Sequence, residues 1–331
     1  MHYEPAPRGL LSAREALALH LSAKGIDADP SRMLLTASTS EAYSFLFKLF
    51  CDPEDEILVP APSYPLLEHL LTLESARPAP YHLCLTEGGW RIDFDSLENA
   101  LTVRTKALVV INPNNPTGNC LDPEDRALLV EIARRERLAL ISDEVFLDYG
   151  FDGADLSSHS LAGQSEVLCF VLGGLSKSLA LPQLKLGWML VSGPEAELSE
   201  CLDRLEFIAD SYLSLAAPVQ VALPGLLALE AAQQAPIKKR LAENRAALAE
   251  LLSGGVLGVL PAQGGWYAVI TLPDGLDDEA LAIELVCEDG VIVQPGYFFD
   301  LESPASVVVS LLTPPEDFRA GIAALLKRAR G

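Results

Sequence analysis

The sequence predicts an α/β fold with a mostly parallel sheet, and two observations predict it. Short, almost wholly apolar runs alternate with amphipathic stretches from about residue 33 to 192. Such runs suit parallel strands covered on both faces. Polar or glycine-rich strings stand where the runs end: NPNNPTGN after KALVVI, Asp143-Glu144 after LALIS, and GGLSKS after CFVL. Open α/β sheets bind ligands at the carboxyl ends of their strands. A site is therefore expected where these strings converge.

In chain order, MHYEPAPRG is extended by its prolines. Ser12 and Glu15 form a capping-box pattern, and their helix runs to a stop at Gly25. After a loop from Asp27 to Arg32, MLLTAS reads as a strand and STSEAYSFLFKLF as a helix beginning near Ser40. EILVP is a strand, and APSYPLLEHLLTL a turn followed by a helix. KALVVIN (106–112) is a nearly all-apolar strand and PEDRALLVEIARRER an amphipathic helix. LALIS, VLCFVL and LKLGWMLVS are further strands. From about 195 to 252 the pattern is helical, interrupted near Pro218, Pro224 and Pro236. GWYAVITL, VIVQPG and SVVVSLL, closed by the helix PEDFRAGIAALLKRAR, read as a small α+β domain. The predicted division is 1–235 for the large domain and 236–331 for the small one.

The 331 residues carry a net charge of −22 and are 50% hydrophobic. That balance argues against nucleic acid and anionic membrane surfaces as partners, since both reward Lys and Arg. No apolar run reaches transmembrane length, and Met1-His-Tyr-Glu-Pro does not open like a signal peptide. The six cysteines form no C-x-x-C pair, which suits reduced thiols in a cytoplasmic protein. The five histidines make no zinc-like spacing, so no metal is expected. GGLSKS lacks the glycine that precedes the lysine of a P-loop, which argues against a nucleotide site.

Lys177 is the most informative single residue. An apolar run delivers it to a strand end, and a second apolar run follows. A lysine so placed must pair, snorkel or do covalent chemistry. Ser38, Thr39 and Ser40 open a helix. They either only cap it or also seat a phosphate on its free N–H groups and dipole.

NPNNPTG, then SDEVF, then GLSKS–LP–KLGW, in that order and each at a predicted strand end, resemble the class I/II aminotransferases of pyridoxal 5'-phosphate (PLP) fold type I. The resemblance runs from residue 3 to the C-terminus. It implies a seven-stranded, mostly parallel sheet in the large domain. It implies PLP as cofactor, and an amino acid and a 2-oxo acid as substrates that exchange an amino group. Lys177 would carry the cofactor through its amine and then shuttle the substrate's α-proton. Asp143 would keep the pyridine nitrogen protonated, making the ring a better electron sink. Asn115 would bond the ring's phenolic oxygen and help hold the substrate carboxylate, and Tyr64 would stack on the ring face. Ser38, Thr39 and Ser40 would hold the phosphate, with Ser176 nearby. Tyr3, in Tyr-x-Pro-x-x-x-Gly, matches a tyrosine that reaches the neighbouring subunit's phosphate, which implies a homodimer with shared sites.

The chain departs from the family pattern at several places. Gly174 stands where a serine is usual. Lys185 stands where an arginine grips the phosphate, so a bidentate fork becomes a point charge. Phe146 replaces a tyrosine that assists the phenolic oxygen. Val308 occupies the place of the arginine that holds the substrate's carboxylate, leaving Lys185, Arg8 and Arg319 as cationic candidates. The family also has several tens of residues before the Tyr3 segment, so the expectation is a truncated start or a lid built otherwise. These departures keep two further readings in view: a PLP-dependent lyase or decarboxylase, and a non-catalytic PLP-fold protein. Gly264–Tyr267 and Pro295–Phe298 either line the substrate pocket or serve as ordinary core and turns.

Overall fold

The computed structural model describes residues 4–301 and 305–330. Tyr3 lies outside the described residues. Eight strands, β1 (Met33–Thr36), β2 (Glu56–Ala61), β3 (Arg77–Thr86), β4 (Gly89–Ile92), β5 (Thr105–Ile111), β6 (Ala139–Asp143), β7 (Cys169–Gly174) and β8 (Gly187–Ser192), make one sheet. Their order is β1-β8-β7-β6-β5-β2-β3-β4. The strands from β3 through β2, β5 and β6 to β7 pair in parallel. β8 is antiparallel to both its neighbours, and β4 is antiparallel to β3.

The predicted seven-stranded sheet thus gains an eighth strand at its edge. Pro78 and Pro80 argue against a strand in β3. However, β4 pairs only with 83–86 of it, so the proline-bearing stretch pairs on one side alone. An edge is where a missing N–H is tolerated.

Eleven helices are described: α1 (Leu11–Ala23), α2 (Thr39–Phe50), α3 (Leu66–Leu73), α4 (Phe94–Ala100), α5 (Pro123–Glu136), α6 (Leu175–Ser178), α7 (Glu195–Tyr212), α8 (Ala217–Leu227), α9 (Glu230–Leu252), α10 (Asp278–Glu284) and α11 (Pro315–Ala329). Burial follows the strand period of two. Leu108, Val110 and Leu140 face one core with α1, α5 and α8. Ala107, Val109, Ile111, Ala139 and Ile141 face the other with α2, α3 and α7. Each large aliphatic side chain so buried stabilises the fold by roughly 1.5–3 kcal/mol. Covering on both faces is why these strands read as continuous apolar runs.

A second sheet, β9 (Gly258–Val259), β10 (Tyr267–Thr271), β11 (Gln294–Pro295) and β12 (Ser306–Ser310), has the order β11-β12-β10-β9. Ala268, Ile270, Val307 and Val309 pack on α9 and α11. Val269 and Val308 turn to the opposite face, with Phe299 and Leu301.

Two local expectations are corrected. Ser12 and Glu15 do not cap α1, because the helix already starts at Leu11, and the Leu10 N–H donates to Gln220 Oε1 at 2.6 Å. Pro224 and Pro236 lie inside α8 and α9 and do not break the chain's helical course; only Pro218 marks a helix start. No helix among the described residues is long and apolar enough to cross a membrane.

Candidate active site

The strand ends of the large sheet and the free face of the small sheet enclose a cavity of about 370 Å³. That volume suits a small organic ligand. Ser38, Thr39 and Ser40 enter it from the start of α2. Ser38 caps this helix, accepting from the Glu41 N–H at 3.1 Å, while Glu41 Oε2 accepts from the Ala37 N–H at 2.7 Å. The capping box is therefore here rather than at Ser12. α2 spans 12 residues, so its N-terminal N–H groups and dipole favour an anion at this corner. Gly187 shapes the same corner: a Cβ there would lie 3.0 Å from the Ser38 carbonyl carbon.

Asn115 lines the cavity from the loop after β5. Its Oδ1 is buried and without a hydrogen-bond partner among the described residues. Such an atom costs free energy until a ligand satisfies it. The loop is held rigidly. Asn114 Nδ2 donates to Pro62 O at 3.1 Å and to Thr117 Oγ1 at 2.7 Å. The Gly118 carbonyl accepts from the Gln263 and Gly264 N–H groups at 2.8 and 2.9 Å, which ties the loop to the segment that leads into β10. Gly118 has φ +69°, and a Cβ there would meet Gly264 O at 2.5 Å.

Asp143 ends β6 and is 7% exposed. It accepts from Tyr43 Oη and from the Val145 N–H, both at 3.2 Å. Burial raises its carboxyl to about 6, against the opposing pull of Val145, Tyr43 and Lys177. Its neighbour Glu144 belongs to structure instead. It accepts from Ser142 and Ser160 hydroxyls and from the Leu161 N–H, and burial raises it to about 7.

Lys177 sits in the single turn of α6, directly after β7. Its carbonyl accepts from Tyr149 Oη at 2.6 Å, and Gln234 Nε2 donates to the next carbonyl, Ser178 O, at 2.9 Å. Its Nζ lies 5.0 Å from the Trp266 ring centroid and 5.5 Å from that of Phe146. Burial lowers the amine's pKa, while the Asp143 charge opposes the shift. A lysine so desolvated keeps more of its neutral, nucleophilic form than one in water.

Tyr64 and Ser176 also line the cavity. Lys185 does not. It ends the turn 182–184 in a left-handed conformation, φ 51°, with its side chain exposed. Arg8 pairs with Glu206, and Arg319 with Glu250; neither lines the cavity. Val308 is 2% exposed within an apolar cluster. From the two aromatic segments, Tyr267 contributes to the lining, whereas Tyr297 and Phe298 do not; Phe299 and Gln294 do so instead. Tyr43, Tyr149 and Gln234 were not singled out by sequence. Only Tyr43 carries a signal, lying one helical turn beyond Thr39 and Ser40.

A buried orphan oxygen on Asn115, an anion corner at α2, a carboxyl at Asp143 and a desolvated amine at Lys177 share one cavity. Their chemistry fits PLP: the α2 corner suits its phosphate, the Asn115 amide N–H its phenolic oxygen, Asp143 its ring nitrogen and Lys177 its aldehyde. The model for class I and II aminotransferases matches residues 2–325. The chain belongs to the class I and II aminotransferases. It is 32% identical over 328 residues to the alanine aminotransferase of Mycobacterium tuberculosis, covering 95% of this chain and 75% of that one. It is 29% identical over 327 residues to the glutamate-pyruvate aminotransferase of Escherichia coli, covering 95% and 79%. Among solved structures, an alanine aminotransferase from Pyrococcus furiosus superimposes with a TM-score of 0.89 at 29% identity, covering 99% of this chain and 84% of that chain. This aminotransferase is thus a PLP-dependent enzyme that moves an amino group between an amino acid and a 2-oxo acid. The fold is PLP fold type I.

Proposed function

We propose that the enzyme uses alanine and glutamate, with their 2-oxo acids, as its substrates. The alanine and glutamate-pyruvate aminotransferases among its relatives support this. The single observation that carries the site assignment is the convergence of Lys177, Asp143 and the orphan Asn115 oxygen on one cavity. PLP, when bound, withdraws electrons from the substrate's α-carbon. Lys177 would hold the cofactor through its amine and would move the proton at the substrate's α-carbon, for which its lowered pKa suits it. Asp143 holds a proton on the ring nitrogen; a buried carboxylate gains most from a cationic partner. Asn115 donates from its amide to the phenolic oxygen or satisfies its own Oδ1 on bound water or substrate. Tyr64 orients the ring, and Ser38, Thr39 and Ser40 hold the phosphate with Ser176. Lys185 has no geometric support for a phosphate contact.

We also propose that residues 1–235 and 236–331 act as cofactor and substrate domains, that the enzyme is a cytoplasmic homodimer, and that Tyr3 serves the neighbouring site. The six free cysteines support a reducing compartment. The test is a spectral titration of the PLP-loaded enzyme with alanine, glutamate and aspartate singly. Bleaching of the cofactor band by alanine or glutamate, and its return with pyruvate or 2-oxoglutarate, is the expected result. Ammonia release without a 2-oxo acid acceptor would establish a lyase instead.

A further inference from the structure

An amino acid brings a carboxylate into this cavity, and the cavity's only cationic lining residue among those described is Lys177. That amine is engaged with the reacting centre. Apart from Asp143, the other polar lining residues, Asn115 and Gln294 among them, are neutral.

The small sheet shows which residue faces the ligand there. In the antiparallel ladder, Gln294 stands directly opposite Val308, and Val308 opposite Val269. Residues directly opposite share a face, and this is the face turned away from α9 and α11. Val308 is buried in the apolar cluster and offers no polar group. Gln294 is exposed and lines the cavity. Its amide makes no side-chain hydrogen bond among the described residues, so both its donor and its acceptor remain open. Its strand pairs with β12 through Gln294–Val308 and Pro295–Val307, and just beyond it Gly296 lies so close to β12 that a Cβ there would meet Ser306 Oγ at 2.5 Å.

We propose that Gln294 is the specificity-determining residue that receives the substrate's polar α-substituent by neutral hydrogen bonding. The proposal rests on Lys177 handling the substrate's amino group. A guanidinium prefers an anion strongly, whereas an amide can donate to a carboxylate and both donate to and accept from a carboxamide. The enzyme therefore takes amino acids and their α-carboxamides as one substrate class, with little charge discrimination.

The experiment compares L-alanine with L-alaninamide as donors to the PLP-loaded enzyme. It also measures binding of propionate and propionamide by calorimetry. The wild type is expected to favour acid over amide by no more than about tenfold in kcat/KM. Gln294→Arg should raise that ratio at least about tenfold, and Gln294→Glu should invert it. Gln294→Leu should weaken both donors through KM, with kcat nearly unchanged. A wild type that prefers the acid more than about 100-fold, with a ratio unmoved by Gln294→Glu or Gln294→Leu, overturns the proposal. If no donor bleaches the cofactor, the function assigned to the site fails on its own. The propionate to propionamide affinity ratio then still decides for Gln294 if it moves with the Arg and Glu variants, and against it if it does not.

Discussion

The two walls of the cavity are built differently. The large-sheet wall is dense in polar groups, and two of its strand ends are held by further residues: Asp143 by Tyr43 and Val145, the Lys177 turn by Tyr149 and Gln234. The small-sheet wall offers Tyr267, Gln294 and Phe299, with Val308 buried behind them. The first wall is rigid because its chemistry needs fixed geometry at one cofactor. The second is sparse and mostly apolar, which leaves substrate choice to few contacts. Changes in the first should alter cofactor state and kcat, and changes in the second should alter KM.

The largest effect is expected at Lys177. Lys177→Ala should lower turnover by about 10⁴-fold or more, because proton transfer and covalent linkage are lost together. Reduction of the PLP-loaded enzyme with borohydride should label wild type but not the variant. A mass spectrum showing equal labelling would place the linkage elsewhere.

Asp143→Asn should act in opposite directions on function and stability. Cofactor affinity should fall by about 100-fold, since the proton on the ring nitrogen loses its partner. Stability of the cofactor-free protein should rise instead. The folded carboxyl is raised to about 6, above its unfolded value, so its burial favours folding below the unfolded pKa and is penalised as pH rises through about 6. The variant should therefore gain roughly 2 kcal/mol near pH 8, a gain that shrinks as pH falls below about 6. Urea unfolding at several pH values reads it. A gain independent of pH would contradict the burial argument.

Phe299→Leu tests the other wall. KM for the amino donor should rise by about three- to tenfold, with the cofactor spectrum unchanged. A changed spectrum would mean the walls are coupled more tightly than their contacts imply.

Tyr43→Phe should have the smallest effect. It removes one hydrogen bond to Asp143 Oδ2, worth about 1 kcal/mol. The pKa of Asp143 should rise by less than about one unit. The pH midpoint of the bound cofactor's absorbance should shift measurably, while kcat falls only a few-fold.

Much of the first wall was legible in the sequence, for a local reason. Apolar runs ending in NPNNPTG, SDEVF and GLSKS place Asn115, Asp143 and Lys177 at strand ends, whatever the rest of the chain does. The start of α2 was legible as a run of capping residues, Ser38, Thr39 and Ser40. Lys185, matched to the family's phosphate-binding position, stands exposed at the end of a turn in a left-handed conformation and does not line the cavity. β3 was missed because its prolines mask a strand that survives by pairing on one side. Tyr149 and Gln234 left no signal, since their bonds go to main-chain carbonyls far away in sequence.

The sequence by itself determined the α/β alternation and the residues at its strand ends and helix starts, which are short-range features, and the family resemblance of those strings supplied the cofactor. Only the tertiary structure decided which residues line the second wall. Gln294 joins that wall by pairing opposite Val308, with Gly296 close to Ser306 just beyond it. Strand register and side-chain face are long-range packing choices, and no local string of residues records them.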